Sequence, residues 1–264
     1  MTDTHRAGAN WPFWVTIVAV VSTYLLFLLG MLLATATYTS PHHLVRALGS
    51  REIQYATGLS LVTCTVTAVL SLVVAVPSGY LMARCNFRGK NFLDTLLDVP
   101  IVLPPMVIGL CLLILFQTPF GQAVEKVVPF TYTVYGVVLA QFVVGAAFAV
   151  RQMRTTFDHL PARPEDVAMT LGCSRGKAVR LVTLPAAKRG MFSAASVAWA
   201  RSLGEFGPIL VFAGATRMKT EVLPTTVWLE LSVGNLEASI AVSLMMVVLA
   251  VAVLLAMRAA GERP

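Results

Sequence analysis

Two ionisable residues of opposite charge, Arg201 and Glu205, stand four positions apart inside an otherwise apolar run. That spacing puts both on one face of a helix. In a membrane such groups are costly, and they face a bundle interior, a partner charge or a watery path. The residues leave two readings open: a structural pair that ties helices or subunits together without touching a solute, and a charged element that lines or gates a pathway. Gly204 and Gly207 beside them permit close backbone approach, which suits a subunit interface or a moving gate. Other candidates for chemistry fall away. Gly172 to Lys177 reads G-x-x-x-G-K, but a phosphate loop has four residues between its glycines and a Ser or Thr after the lysine. Here there are three, and Ala178 follows. No ATP site is expected. His5, His42, His43 and His159 all fall outside the apolar runs, and Cys64, Cys85, Cys111 and Cys173 lack zinc-ligand spacing, so free thiols are expected. No catalytic residue, metal ligand or cofactor-binding residue is therefore expected in this chain.

Composition says what must surround these residues. Apolar residues make up 57% of the chain and charged ones 12%, whereas a soluble domain carries about 25% charged residues. Such a chain is solvated by lipid. Its 264 residues allow one bundle of several spans and no separate soluble domain of ~100 to 150 residues. The net charge of +7 sits in short segments flanking apolar runs, which points to a membrane and away from nucleic acid.

A helix that crosses a hydrocarbon layer needs about 20 apolar residues. Six segments qualify: Phe13 to Ala36, Thr57 to Ala83, Leu96 to Phe116, Thr133 to Val150, Met191 to Ala213 and Leu236 to Met257. The expectation is an all-α polytopic membrane protein with six transmembrane helices. Residues 1–56 form an N-terminal tail, the first helix and an outer segment; residues 57–260 form the core, with a polar loop at 151–190. Pro100, Pro104 and Pro105 interrupt the third span, whose freed carbonyls need neighbouring helices, so it belongs inside the bundle. Ala34-Thr35-Ala36 imitates a signal-peptidase site. However, the apolar run from Val15 to Ala36 exceeds the ~7 to 15 residues of a secretory core and only Arg6 marks a basic leader, so an uncleaved first helix is expected.

With both termini inside, fourteen of the 20 Lys and Arg residues fall in inner segments and five in outer ones, Arg201 lying within the fifth span. This positive-inside bias places the 151–190 loop in the cytoplasm. Pro164 suits a first helical turn, and Glu165 with Asp166 puts negative charge at that helix's N-terminus. Gly172 is expected to end this short helix, Ser174 to cap a second one, and Pro185 to stop the second before the fifth span. Two short helices at an angle make a stiff knob. Basic on one side and apolar on the other, it suits a protein partner or an interfacial lipid role.

The spacing within the knob resembles the cytoplasmic signature loop of binding-protein-dependent ABC importer permeases. Glu165-Asp166-Val167-Ala168 stands for its acidic-alanine stretch, Gly172 falls seven residues after Glu165, and Leu184-Pro185 follows. Asp166 and Val167 replace the usual two alanines. Val99 to Pro105, with Gly109 after it, is similar to the third-span motif of molybdate and sulfate permeases, and Ala200 to Gly207 is similar to their fifth-span motif, with Leu223-Pro224 beyond. Pro208 stands where that branch usually has alanine. The resemblance runs from about Thr57 to Met257. It implies a MetI-like permease fold in a bacterial or archaeal inner membrane, multi-pass, with both termini cytoplasmic. It implies a second, identical permease subunit, two cytoplasmic ATPase subunits that carry the ATP and Mg, and an extracytoplasmic solute-binding protein. The implied activity is alternating-access uptake of molybdate or tungstate, with sulfate or thiosulfate next. Carried over residue by residue, the ATPase-coupling loop is Glu165, Asp166, Ala168, Leu171, Gly172, Leu184 and Pro185; the candidates for a pathway or gate are Pro104, Pro105, Arg201 and Glu205, with the structural reading of the last two still open. An ion-coupled carrier would show ionisable groups deep in several spans, and a membrane enzyme a nucleophile-base or metal constellation. Neither pattern is visible in the sequence.

Overall fold

The computed structural model describes residues 11–38 and 49–261, with side chains to Met257. His5, Arg6, His42, His43, Arg46 and Arg263 lie outside the described residues, as does the side chain of Arg258. Among the described residues the chain is helical, without strands. Three helices make its centre: α2 (Arg51–Arg84), α6 (Val134–His159) and α9 (Leu184–Leu203). The buried residues of α2 are mostly small, Ala56, Ser60, Cys64, Ala68, Ser71, Ala75 and Gly79 among them, and they recur every three or four positions. This is the seam that lets helices approach closely where apolar attraction is no driving force. At Gly79 two backbones nearly touch, since a Cβ there would lie 2.8 Å from the Met153 Cβ and from the Arg154 amide nitrogen.

Around this centre stand α1 (Trp11–Tyr38) and α12 (Leu236–Gly261). No residue of α1 is buried. Among the described residues four helices, α1, α2, α6 and α12, are long and apolar enough to cross a membrane. A bent pair stands beside them: α3 (Lys90–Val102) and α4 (Pro105–Gln117) meet at 111°, the form of a broken span or a re-entrant loop. The expected third span, Leu96 to Phe116, is interrupted as its prolines suggest, and the interruption divides it into two helices. Pro100 sits inside α3 without ending it; the break falls at Leu103, which is extended (φ −64°, ψ 138°) as the residue before a proline prefers.

The expected fifth span, Met191 to Ala213, is also divided. α9 begins earlier, at Leu184, and ends at Leu203, and after Gly204-Glu205-Phe206 a short α10 (Gly207–Phe212) follows. Pro208 supplies the reason: it has no N–H for the Gly204 carbonyl, and its ring would clash with that group in a continuous helix. The remaining short helices are α5 (Pro119–Glu125), α7 (Arg163–Thr170), α8 (Arg175–Ala178) and α11 (Leu223–Ser232).

Candidate functional site

The polar loop is built from α7 and α8. Pro164 lies in the first turn of α7, where its missing N–H is harmless. Gly172 ends that helix with φ +90°, and two bonds close it: the Gly172 amide to the Met169 carbonyl at 3.0 Å and the Cys173 amide to the Ala168 carbonyl at 3.1 Å. This is a Schellman stop, which needs a left-handed residue at that point. Ser174 occupies the cap position of α8, but its hydroxyl makes no capping bond. The expectation for Pro185 is overturned. It does not stop α8, because the chain passes through a five-residue π-helical turn, Val179–Thr183, straight into α9 with Pro185 in its first turn. There the Leu184 amide reaches back five residues to Val179, and the wider turn makes room for the proline ring.

Glu165 is not a surface acid. It is buried, at 5% exposure, and three groups converge on it. The Tyr80 hydroxyl from α2 donates to Oε1, the Thr183 hydroxyl donates to Oε2 at 2.9 Å, and the Arg175 guanidinium lies 3.9 Å from Oε1. One carboxylate therefore ties α2, α7, α8 and the π turn together. The Tyr80 ring also meets Phe157 edge-on at 5.7 Å, and Arg84 donates to the Leu160 carbonyl at 2.7 Å, fastening the root of the loop to the same helix. The outer surface is free of these ties. Asp166, Leu171, Gly172 and Pro185 are exposed, whereas Ala168 and Leu184 are half-buried. Leu171 is 81% exposed beside exposed Val167 and Leu181, so apolar side chains project among Arg163, Lys177 and Arg180.

The second site is where the two broken helices meet. Pro104, Pro105, Arg201 and Glu205 line one cavity of about 370 Å³, together with Gly204 and Gly207. Glu205 is buried and its Oε2 stands 3.4 Å from Arg201 Nη2, so the expected pair exists, but not on one helical face: Arg201 is in the last turn of α9 and Glu205 lies in the break that follows it. A Cβ at Gly207 would lie 2.9 Å from the Met106 amide nitrogen, and one at Gly109 would lie 2.8 Å from the Pro208 Cα. The backbones of α4 and α10 are thus in contact at their breaks.

Sequence reasoning missed Gln141. Buried on α6, it accepts from the Thr67 hydroxyl at 3.2 Å and donates to the Ser202 carbonyl at 3.2 Å, one of the carbonyls freed where α9 stops. An amide in the middle of an apolar span was the available signal. Also missed was an ion-pair group joining α3 to α6: Arg154 with Asp94, Arg151 with Asp98 at 3.4 Å, and Arg154 with Asp158 at 3.7 Å. Asp94 and Asp98 share one face of α3, and that spacing could have revealed it.

A family model described as the binding-protein-dependent transport system inner membrane component matches residues 75–263. The chain belongs to this family. It is an ABC importer permease, of the inner-membrane component class. Among its relatives, a probable molybdenum ABC transporter permease protein of Haloferax volcanii is 35% identical over 225 residues, 85% of this chain and 82% of that protein. A molybdenum transport system permease protein of Mycobacterium tuberculosis is 33% identical over 247 residues, 92% of each. A molybdate/tungstate transport system permease protein of Pyrococcus abyssi is 38% identical over 154 residues, 58% of each. Of solved structures, a bacterial alginate ABC transporter in complex with an alginate pentasaccharide-bound periplasmic protein has a TM-score of 0.75, with 96% of this permease and 95% of that chain covered at 15% identity. At that identity the likeness is one of fold. The all-α architecture expected of the permease is the one observed.

Proposed function

We propose that this permease carries molybdate or tungstate inward across the membrane by ATP-driven alternating access, with a second copy of itself, two cytoplasmic ATPase subunits and an extracytoplasmic solute-binding protein. The names of its relatives support the anion, and the family supports the class of machine. The geometry supports the mechanism, and one observation carries it: the buried Glu165 carboxylate, which binds the polar loop to the transmembrane helix α2.

The proposed sequence starts when ATP draws the two ATPase subunits together. Each holds a loop by its exposed face, with Asp166 and Leu171 in contact and Gly172 keeping the turn. The latch at Glu165 passes that displacement to α2, and the continuous path through the π turn and Leu184-Pro185 passes it to α9. The movement arrives at the contact of α4 with α10, where Pro104, Pro105, Arg201 and Glu205 form the gate. A ligand shifts such an equilibrium only through contacts that differ between states, and a loop that yields would transmit nothing.

Uptake of labelled molybdate and tungstate is the test, in cells that lack their own uptake system and express the permease with its ATPase and solute-binding subunits. Uptake should stop on ATP depletion while ion gradients persist; uptake that continues would identify an ion-coupled carrier. Gly172→Asp places a Cβ at φ +90°, at a cost of about 1–2 kcal/mol, and adds a charge to the docking face. The variant should remain in the membrane and hydrolyse ATP without uptake, and normal transport by it would refute the coupling role.

A further inference from the structure

Next to the gate, a larger cavity of about 630 Å³ runs along α9. Arg189, Ser193, Ser196 and Arg201 provide its polar wall, and Phe148 and Met257 are among its apolar members. The first three share one helical face, and the long Arg201 side chain reaches round its edge. The wall contains two guanidiniums and no carboxylate. Arg189 is exposed and makes no ion pair among the described residues. This differs from the inner end of α6, where Arg151 and Arg154 are each matched to aspartates. The bundle neutralises the arginines that clasp helices and sets Glu205 behind Arg201, yet leaves Arg189 on this wall unmatched among the described residues.

Arg201 also lines the gate cavity, so a single side chain borders both spaces. Its charge is tempered by Glu205 at 3.4 Å and by the Phe148 ring, 5.5 Å below its guanidinium carbon. Ser193 accepts from the Gln152 amide at 3.2 Å, which leaves its own proton for a ligand, whereas Ser196 donates to the Phe192 carbonyl at 2.9 Å. Arg189 and Arg201 are twelve residues apart, or about 18 Å along a helix. No small anion bridges them. The arrangement is two weak stations in series, which suits passage, since conduction needs sites that attract a solute without trapping it.

We propose that this face of α9 is a transit site for a tetrahedral oxyanion, which leaves the gate at Arg201 and departs at Arg189; this rests on the importer reading above. A phospholipid headgroup offers the same phosphate-like chemistry, and the experiment separates the two sources. In the full complex, held in nanodiscs of neutral lipid, Ser193→Cys is made with the four native cysteines replaced. It is then modified with anionic and cationic methanethiosulfonates of similar size, each rate taken relative to a free thiol in solution. The anionic reagent should be favoured by ~10-fold or more. Arg189→Gln should abolish the preference, Arg189→Lys should restore it, and millimolar molybdate should slow the reaction. Equal relative rates would overturn the proposal. So would protection by anionic lipid without protection by free molybdate, which would assign the groove to headgroups. Failure of the importer reading would be seen separately, as absent ATP-driven uptake by the unsubstituted complex.

Discussion

Glu165 carries the acid of the loop signature, yet its carboxylate is used inside the chain, between Tyr80, Thr183 and Arg175. A hydrogen bond to a charged group contributes about 1.5–3 kcal/mol, enough to hold a short helix of few other contacts. Tyr80→Phe removes one such bond and keeps the ring on Phe157. We predict a folded, membrane-inserted variant in which less anion is carried per ATP hydrolysed, read by measuring both rates in the same vesicles; an unchanged ratio would assign Glu165 a role in folding alone. Gln141 works in the opposite sense, as a purely internal donor to the end of α9. Gln141→Leu removes both its bond from Thr67 and its bond to the Ser202 carbonyl, which keeps the Glu205 amide, and thermal unfolding in detergent should show a loss of about 1–3 kcal/mol for the two. The two residues were not equally legible. Glu165 stood in a motif, but nothing in its spacing told that it faces inward, because burial of an acid depends on a tyrosine 85 positions earlier. Gln141 stood alone in an apolar helix, and its partners, the Thr67 hydroxyl and the Ser202 carbonyl in the last turn of α9, come from helices distant in sequence.

At the scale of elements, the sequence marked each break and misjudged its form. The prolines at 104 and 105 were read as an interruption within a span, and they turn the chain by 111°. Pro208 was noted as a departure from the relatives' pattern, and it coincides with the end of α9 and the start of α10. Hydropathy counts apolar residues and is blind to direction, so the fifth span reads as one straight helix, and the expected break in the third carries no angle. Pro185 erred the other way, because a π turn can absorb a proline that an α-helix cannot. In the proposed mechanism the contact of α4 with α10 is the element that moves. Gly207→Val would force its Cβ to within 2.9 Å of the Met106 amide nitrogen, so the two breaks must separate. That variant should hydrolyse ATP but lose most uptake, with Gly207→Ala intermediate; equal uptake by all three forms would remove this contact from the gate.

Across the whole molecule, a lipid-solvated bundle presents one stiff polar loop and one pair of interrupted helices, joined by α2 and α9. The small residues of α2 bring three helices close enough for displacement at one end to be felt at the other, since packed interfaces of this kind switch between arrangements rather than deform. The exposed face of the loop is the remaining surface the proposed mechanism needs, and Leu171 is its most projecting apolar residue at 81% exposure. The direct measurement is a crosslink from Leu171→Cys, in native inner-membrane vesicles, to the ATPase subunit. The account predicts a crosslinked pair at the cytoplasmic face whose yield changes when ATP is trapped on the ATPase. A loop reached only by reagents at the outer face, or one that captures no ATPase in either state, would contradict it.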